Sequence, residues 1–164
     1  MIYDKLSDCW ETPEWLFNEL DQEFNFDIDL CANESNRKCE YWCKDYLTTD
    51  LSPFLQVSSA FMNPPYSKPK PFIEKAWEDS KHRKIVCLVK CDPSTEWWAT
   101  FWDHKEVVRC GSNNRPVYYH GPKPGCQVRF FPKRIKFDPP KGWEGKAGSP
   151  AFPSALIIMD RRSV

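Results

Sequence analysis

Four successive residues, Asn63-Pro64-Pro65-Tyr66, are the part of this chain whose types and spacing most clearly suggest chemistry. They follow an apolar run at residues 57–62, which predicts a buried strand that ends at the asparagine. The side-chain oxygen of Asn63 and the proline carbonyls, which have no competing N–H between them, are suited to accept hydrogen bonds from an exocyclic amine. The Tyr66 ring adds a flat surface for stacking. This tetrad could therefore grip a planar base such as adenine, and it predicts amine methylation.

The same tetrad is also compatible with a purely structural turn. Asn-Pro and Pro-Pro pairs are common where a strand gives way to a loop, and Tyr66 would then be an ordinary surface aromatic. Neighbouring segments of the chain have to decide between the two interpretations.

Helix and strand patterns alternate around the tetrad. A hydroxyl N-cap at Thr12 and a proline at the first helical position, Pro13, predict a helix that runs to about residue 25. Further helices are predicted at 37–44, at 72–82 and after Asp92-Pro93, and strands at 26–31, 57–62, 84–90, 106–109, 116–119, 134–137 and 155–159. This order predicts one α/β domain over residues 1–164, with a mostly parallel sheet flanked by helices. Ligands of such folds bind at the carboxyl ends of the strands, where the turns after Cys31 and Met62 would lie.

Charge is segregated along the chain, although Lys/Arg and Asp/Glu balance at 23 each. Residues 1–50 carry four basic against thirteen acidic residues, and residues 105–146 carry ten against three. This segregation is typical of a phosphate-facing surface on an otherwise acidic protein, and a solvated charged face would look the same. We predict an irregular basic segment at about 106–146 that contacts nucleic acid. The candidate contacts are Lys68, beside the tetrad, and Arg109, Arg115, Lys123, Arg129, Lys133 and Arg134.

Composition narrows the class of protein further. No stretch approaches the ~20 apolar residues of a membrane span, and the first residues lack the basic and apolar regions of a secretory signal. The sequence therefore predicts a cytoplasmic protein. Its eight cysteines are expected to be free thiols and not a metal site, because Cys39/Cys43 and Cys87/Cys91 are each four positions apart, which fits zinc poorly.

Several further motifs accompany the tetrad in a fixed order. They are Trp10-Glu11-Thr12-Pro13, Phe26-Asp27-Ile28-Asp29-Leu30-Cys31-Ala32, Phe61-Met62-Asn63-Pro64-Pro65-Tyr66-Ser67, Arg134-Ile135-Lys136-Phe137, Ser149-Pro150 and Pro153-Ser154-Ala155-Leu156-Ile157. In these motifs the chain resembles the small phage and prophage family of Dam-like DNA adenine-N6 methyltransferases over most of its length. The resemblance implies a Rossmann-like class I fold, S-adenosylmethionine as cofactor and double-stranded DNA as partner.

The resemblance also implies roles for individual residues. It assigns the cofactor pocket to Trp10, Thr12, Pro13, Asp29, Cys31 and Ala32, and it makes Asp50 a candidate for an acid near the cofactor's adenine. Many methyltransferases have a glycine-rich turn after the first strand, whereas this chain has Cys31-Ala32-Asn33-Glu34-Ser35.

A mechanism follows for adenine in a duplex. The base has to leave the stack, after which Asn63 and Pro64 would accept its two amine N–H bonds while the nitrogen attacks the methyl group. Tyr66 would stack on the base, so a Tyr66→Phe change is expected to be mild. The same chemistry would serve cytosine N4, RNA adenine or a protein glutamine. A catalytically silent nucleic-acid-binding protein of the same fold and a zinc-binding module are the alternatives from other classes.

Overall fold

A computed structural model describes residues 6–144 and 152–164 of the chain. Its strands are β1 Ile28–Asp29, β2 Tyr41–Trp42, β3 Ser59–Met62, β4 Lys84–Lys90, β5 Trp102–Cys110, β6 Arg115–Pro122, β7 Cys126–Phe130 and β8 Ser154–Met159. Its helices are α1 Glu14–Phe24 and α2 Lys70–Asp79, with short 3-10 helices at Leu6–Cys9 and Glu96–Thr100.

Six strands form one mixed sheet in the order β2-β1-β3-β4-β8-β7, and β5 and β6 form a separate hairpin. The pairs β2–β1, β1–β3 and β3–β4 are parallel, whereas β8 is antiparallel to both β4 and β7. β2 pairs with one side of β1, and β3, the next strand in the chain, pairs with the other side. In open α/β sheets, such a reversal opens a crevice at the carboxyl ends of the two strands. The expected α/β fold with a mostly parallel sheet is confirmed.

The two faces of the sheet bury different helices, because successive side chains of a strand point to opposite sides. Ala60 and Met62 of β3 pack on the side of α2, together with the tryptophans of the Glu96–Thr100 helix. Phe61 packs on the side of α1, whose Leu16, Phe17, Leu20 and Phe24 are buried. The sheet is thus held between two apolar layers, and its edges remain for binding.

The first helix begins differently from the sequence expectation. It starts at Glu14, with Pro13 in the N-cap position at φ −62° and ψ 143° and no side-chain cap. The Pro13 carbonyl itself accepts from the N–H groups of Leu16 and Phe17 at 3.1 Å. The prediction that Thr12 caps this helix was wrong, since the threonine lies one residue further from it.

The helix predicted at 37–44 was also wrong. This segment consists of turns and β2, whose Tyr41 and Trp42 pair with Ile28 and Asp29. The Cys43 N–H donates to the Asp29 carbonyl at 2.8 Å. Aromatic residues favour strands, and pairing with β1 overrides the weaker helical pattern.

The basic segment at 106–146 is more regular than expected. Its first part lies in the β5–β6 hairpin, a further strand, β7, was missed, and the strand predicted at 134–137 does not form. The helix predicted after Asp92-Pro93 is only a short 3-10 turn, and Trp102 already belongs to β5. The last residues of the segment, 145 and 146, and Ser149-Pro150 lie outside the described residues.

Two properties of the described residues bear on the function class. Among residues 6–144 and 152–164, no helix combines the length and apolar character needed to span a bilayer. The same residues contain no group of three or more His, Cys, Asp or Glu side chains arranged to hold a metal ion.

Candidate active site

A pocket of about 220 Å³ opens at the crevice between the carboxyl ends of β1 and β3. Five of the residues predicted from sequence line it together: Trp10, Thr12, Asp29, Cys31 and Asn63. The tetrad therefore meets the expected cofactor residues at the edge where the sheet topology predicts a ligand.

The side-chain amide of Asn63 is held in one orientation. Its Nδ2 donates to the Trp10 carbonyl at 3.3 Å, and its Oδ1 accepts from the Tyr66 hydroxyl at 2.9 Å. An amide oxygen has two lone pairs, so the bond from Tyr66 leaves one acceptor position on Oδ1. Pro64 and Pro65 are buried beside it and fix the backbone of the turn.

Tyr66 is half-buried, and its ring contacts other aromatic rings by their edges. The ring centroid lies 5.7 Å from that of Phe137 and 4.8 Å from that of Phe152. Burial raises the pKa of Tyr66 well above its ordinary value. The hydroxyl therefore stays protonated and remains a donor to Asn63.

Asp29 brings a buried carboxylate to the pocket, with 3% of its surface exposed. One oxygen accepts from the Cys31 N–H at 3.3 Å and the other from the Lys38 N–H at 3.2 Å. Burial raises the pKa of Asp29 to about 6, and these two N–H groups and the Lys38 charge oppose the rise. The carboxylate thus anchors the loop at 31–38, and its charge changes as the pH passes through about 6.

The loop at 31–38 supplies pocket residues that sequence reasoning missed. Asn33, Ser35 and Asn36 all line the pocket. The Asn33 Oδ1 accepts from the Ser35 N–H at 2.8 Å, and the Asn36 Oδ1 accepts from the Asn33 N–H at 2.7 Å. Side-chain amides, and not glycines, thus shape the turn after β1. The signal was present, since these polar residues directly follow a strand at the ligand-binding edge.

The N-terminal segment forms the opposite wall. Asp8, Cys9 and Glu11 line the pocket beside Trp10 and Thr12, and only 8% of Trp10 and 3% of Thr12 are exposed. The Glu11 and Asp138 backbones pair with each other, which brings Pro140 and Lys141 to the rim. Burial raises the pKa of Glu11, against the opposing charges of Lys38 and Lys141.

Three residues predicted for the cofactor pocket are not part of its lining. Pro13 and Ala32 are buried next to lining residues. Asp50 is exposed, and its carboxylate accepts from the N–H and the hydroxyl of Ser52 at 2.9 and 2.8 Å. The structure therefore brings four of the seven predicted cofactor residues to the pocket and leaves Asp50 elsewhere.

A second space of about 270 Å³ lies across the tetrad, between the carboxyl ends of β3 and β4. Its walls include Pro64, Tyr66 and Trp97, with Lys90 and Thr95. The tetrad thus separates two cavities, one lined by Asn63 and the other by the Tyr66 ring.

The structure separates the predicted DNA contacts into different groups. Lys68 is exposed and follows the tetrad by two positions, and Lys133 and Arg134 are exposed just before the buried Ile135. Their connection runs along the active-site edge, because Phe130 at its start pairs with Ala155 beside the end of β4. These three residues are at the rim of the site.

Two other predicted DNA contacts form hydrogen bonds with other residues of the protein. Lys123 donates to the Ala99 and Thr100 carbonyls at 2.7 and 2.9 Å. Arg129 makes two 2.7 Å hydrogen bonds to the Glu23 carboxylate. Their charges are therefore partly satisfied without a nucleic acid.

Arg109 and Arg115 lie in the hairpin, on either side of its turn. Lys105 at the hairpin base lines a cavity with Arg161, and Arg161 follows β8 beyond the amino end of β4. The base of the hairpin is thus at the sheet edge opposite the tetrad.

Comparisons with known proteins identify the family of this chain. The family model described as DNA N-6-adenine-methyltransferase (Dam) matches residues 2–160. A DNA N-6-adenine-methyltransferase of Haemophilus phage HP1 (strain HP1c1) is 39% identical over 142 residues, which is 77% of this chain and 80% of that protein. A DNA N-6-adenine-methyltransferase of Escherichia phage T1 is 31% identical over 97 residues, or 58% of this chain and 41% of that protein. The family expected from the sequence motifs is therefore confirmed: the chain belongs to the Dam family of DNA N-6-adenine-methyltransferases.

Proposed function

We propose that this protein transfers a methyl group from S-adenosylmethionine to the exocyclic amine of an adenine extruded from double-stranded DNA. The observation that carries the proposal is the oriented amide of Asn63, whose Oδ1 keeps an acceptor position at the rim of a pocket that Asp29 also lines. The acceptor for the amine and a ligand pocket that contains a carboxylate thus lie at the same edge of the sheet. The reversal of strand order between β1 and β3 supports a Rossmann-like class I fold for this enzyme.

The residues of the first pocket suit the cofactor. S-adenosylmethionine carries positive charge and polar hydroxyl groups, and the pocket offers a buried carboxylate at Asp29 together with the amides of Asn33 and Asn36. Trp10 and Phe61 add apolar surface. When bound, this cofactor supplies an activated methyl group, because the methyl is attached to a positively charged sulfur.

Asn63 and Pro64 act on the amine. The nitrogen of adenine is a poor nucleophile because its lone pair is delocalised into the ring. When the Asn63 Oδ1 and the Pro64 carbonyl accept hydrogen bonds from the two N–H groups, the nitrogen would become pyramidal and its lone pair would be available for the new N–C bond, which would replace the methyl–sulfur bond of the donor and leave that electron pair on sulfur. These oxygens also stabilise the positive charge that develops on the nitrogen, which then releases one proton to water.

The second cavity supports extrusion of the base. Tyr66 and Trp97 give it aromatic walls, and stacking against such walls offsets the few kcal/mol needed to unstack a base. A base held there would lie against the tetrad, with its amine directed toward the Asn63 oxygen and the first pocket.

The DNA backbone would lie along the basic rim. Lys68, Lys133 and Arg134 are exposed at the active-site edge, and such side chains bind phosphates. No separate recognition domain is evident in the described residues, so we propose that the enzyme reads a very short or loosely defined site. Since the similar proteins come from phages, we further propose that it works in the cytoplasm of a bacterial host.

Labelled methyl transfer tests the proposal. Purified protein is incubated with unmethylated double-stranded DNA and methyl-labelled S-adenosylmethionine, and the nucleosides are then separated. We expect the label in N6-methyladenine. Label in N4-methylcytosine, or transfer to RNA or protein and not to DNA, would contradict it.

Asn63→Ala is the matched variant for this assay. We expect it to lower the methylation rate by at least about a hundredfold, because the amine loses its main acceptor. Cofactor binding, measured by calorimetry, should change little. Equal loss of binding and transfer would indicate a folding defect, whereas a folded variant that methylates DNA at a rate close to that of the wild type would contradict the role given to Asn63.

A further inference from the structure

The loop that carries the tetrad is held by a buried carboxylate outside the tetrad. Asp8 lies in the 3-10 helix Leu6–Cys9, and 7% of its surface is exposed. Its Oδ1 accepts from the Ser67 N–H at 2.9 Å, and its Oδ2 accepts from the Ser67 hydroxyl. Ser67 is the residue that directly follows Tyr66. Asp8 therefore binds the far end of the tetrad across 59 positions of sequence.

We propose that Asp8 is a positioning residue for methyl transfer, which sets the location of the Asn63 oxygen by holding Ser67. The inference rests on the proposed function and adds a residue to it. The contacts place the tetrad between two anchors on the same N-terminal segment. Asn63 is tied to the Trp10 carbonyl at one end, and Ser67 is tied to Asp8 at the other.

The same segment forms a wall of the first pocket. Asp8, Cys9 and Trp10 all line it beside Asn63. One short stretch of backbone therefore fixes both the wall against which the methyl donor lies and the acceptor that faces the amine. A displacement of either part by about 1 Å lowers the rate of a positioned reaction by about a hundredfold.

The chemistry of Ser67 explains why an acceptor is needed at position 8. The serine presents two donors, N–H and O–H, and a carboxylate accepts both. Asparagine preserves the arrangement, since its oxygen accepts from the N–H and its amino group donates to the hydroxyl oxygen. Alanine preserves neither bond.

A matched control lies at the other end of the same strand. Asp27 accepts from the Ser58 N–H at 2.8 Å, the Ser58 hydroxyl at 3.2 Å and the Ser59 N–H at 3.0 Å. This is the same type of aspartate–serine tie, at the amino end of β3 and away from the tetrad. A purely structural role for Asp8 predicts similar consequences for both ties.

The test compares four variants by three measurements: kcat for DNA methylation, the dissociation constant for S-adenosylmethionine, and the melting temperature. We expect Asp8→Ala to lower kcat about 30-fold, whereas Asp8→Asn stays within about threefold of the wild type because it keeps both bonds. Ser67→Ala should lower kcat about fivefold, because only the hydroxyl bond is lost, and should leave cofactor binding unchanged. Asp27→Ala should lower the melting temperature and leave the kcat of the folded protein unchanged.

A double variant makes the inference falsifiable even if single variants are unstable. Because Asp8→Ala already removes the partner of the Ser67 hydroxyl, adding Ser67→Ala should lower kcat no further, within about twofold. Multiplicative losses, or an equal fall in kcat for Asp27→Ala, would overturn the role of Asp8. So would full kcat in Asp8→Ala while the wild type methylates adenine. A wild type without adenine methylation would instead contradict the proposed function.

Discussion

At the scale of single residues, the amide of Asn63 has its orientation determined before any base arrives. Donation from Nδ2 to the Trp10 carbonyl and acceptance by Oδ1 from the Tyr66 hydroxyl exclude the flipped amide, because a flip would place the amide oxygen against the carbonyl oxygen of Trp10, and both are acceptors. Under the proposed function, the acceptor for the adenine amine is thus oriented in advance, and such preorganised acceptors lower a barrier electrostatically.

Tyr66→Phe tests whether the hydroxyl contributes to this orientation. Sequence reasoning expected a mild effect because the ring remains. The hydrogen bond to Asn63 leads us to expect a loss of about 1 kcal/mol, or about fivefold in kcat. The S-adenosylmethionine dissociation constant should not change, because Tyr66 does not line the first pocket. A kcat equal to that of the wild type would show that the Trp10 carbonyl alone is sufficient.

Asp29 predicts a pH dependence of cofactor binding. Burial raises its pKa from 3.8 to about 6, and the ionised form attracts the positive charge of S-adenosylmethionine. Affinity should therefore rise about tenfold between pH 5 and pH 7 and level off above. Quenching of tryptophan fluorescence offers a direct measurement, since Trp10 lines the pocket.

Two variants separate Asp29 from its neighbour. Asp29→Asn should remove the rise in affinity, whereas Glu11→Gln should retain it; the opposite pattern would assign the titration to Glu11. The contribution of Asp29 to folding stability changes with pH in the opposite direction to cofactor affinity. Because folding raises the pKa of Asp29, its contribution to stability is present below pH about 4 and is lost as the pH rises through about 6.

The sequence predicted some residues of the site better than others. Asn63 follows an apolar strand pattern, so its position at a sheet edge could be inferred from periodicity, whereas the role of Asp29 was implied only by the family resemblance. The role of the Tyr66 hydroxyl could not be inferred, because it depends on the side-chain rotamer within the turn. The role of Asp8 could not be predicted either, since its partner Ser67 lies 59 positions away in the sequence.

At the scale of elements, the segment that follows β7 carries Lys133 and Arg134, two residues of the basic rim. Replacing Lys133 and Arg134 together by alanine should weaken DNA binding and reduce the slope of log affinity against log salt by about 2, or roughly 0.9 per lost phosphate contact. Filter binding or fluorescence anisotropy over a range of salt concentrations measures this slope.

A control of equal charge is available at the opposite sheet edge. Lys81 and Arg162 are paired with Glu78 and Asp160 there, and their double alanine variant should leave the slope unchanged. An unchanged slope in the Lys133/Arg134 variant would remove this connection from the interface and favour the hairpin residues Arg109 and Arg115.

Elements with continuous local patterns were predicted well, and elements defined by pairing were not. β4 was predicted at its observed bounds, because seven residues with a buried apolar centre have few alternatives. β2 has only two residues, and its strand character depends on β1. The strands predicted at 106–109 and 116–119 form within β5 and β6, but their pairing as a long hairpin and the strand β7 were missed for the same reason, since no sequence period distinguishes a paired segment from an extended loop.

At the scale of the whole molecule, the two edges of the sheet carry different groups of residues. The tetrad, the first pocket and the rim of Lys68, Lys133 and Arg134 share the edge at the carboxyl ends of β3 and β4. The base of the hairpin and residues 160–164 gather at the other edge. The sequence predicted the α/β class from the alternation of elements, but the position of the hairpin depends on a topology that local patterns do not encode.

The position of β8 has a consequence for biosynthesis. This strand, at residues 154–159, lies between β4 and β7 and pairs with both. On a translating ribosome, β4 and β7 emerge well before the strand that joins them, so the sheet is completed only when Met159 has left the exit tunnel. Until then β4 has an unpaired apolar edge, and such edges favour association with other chains. The nascent protein is therefore most exposed to aggregation until β8 has emerged and paired with β4.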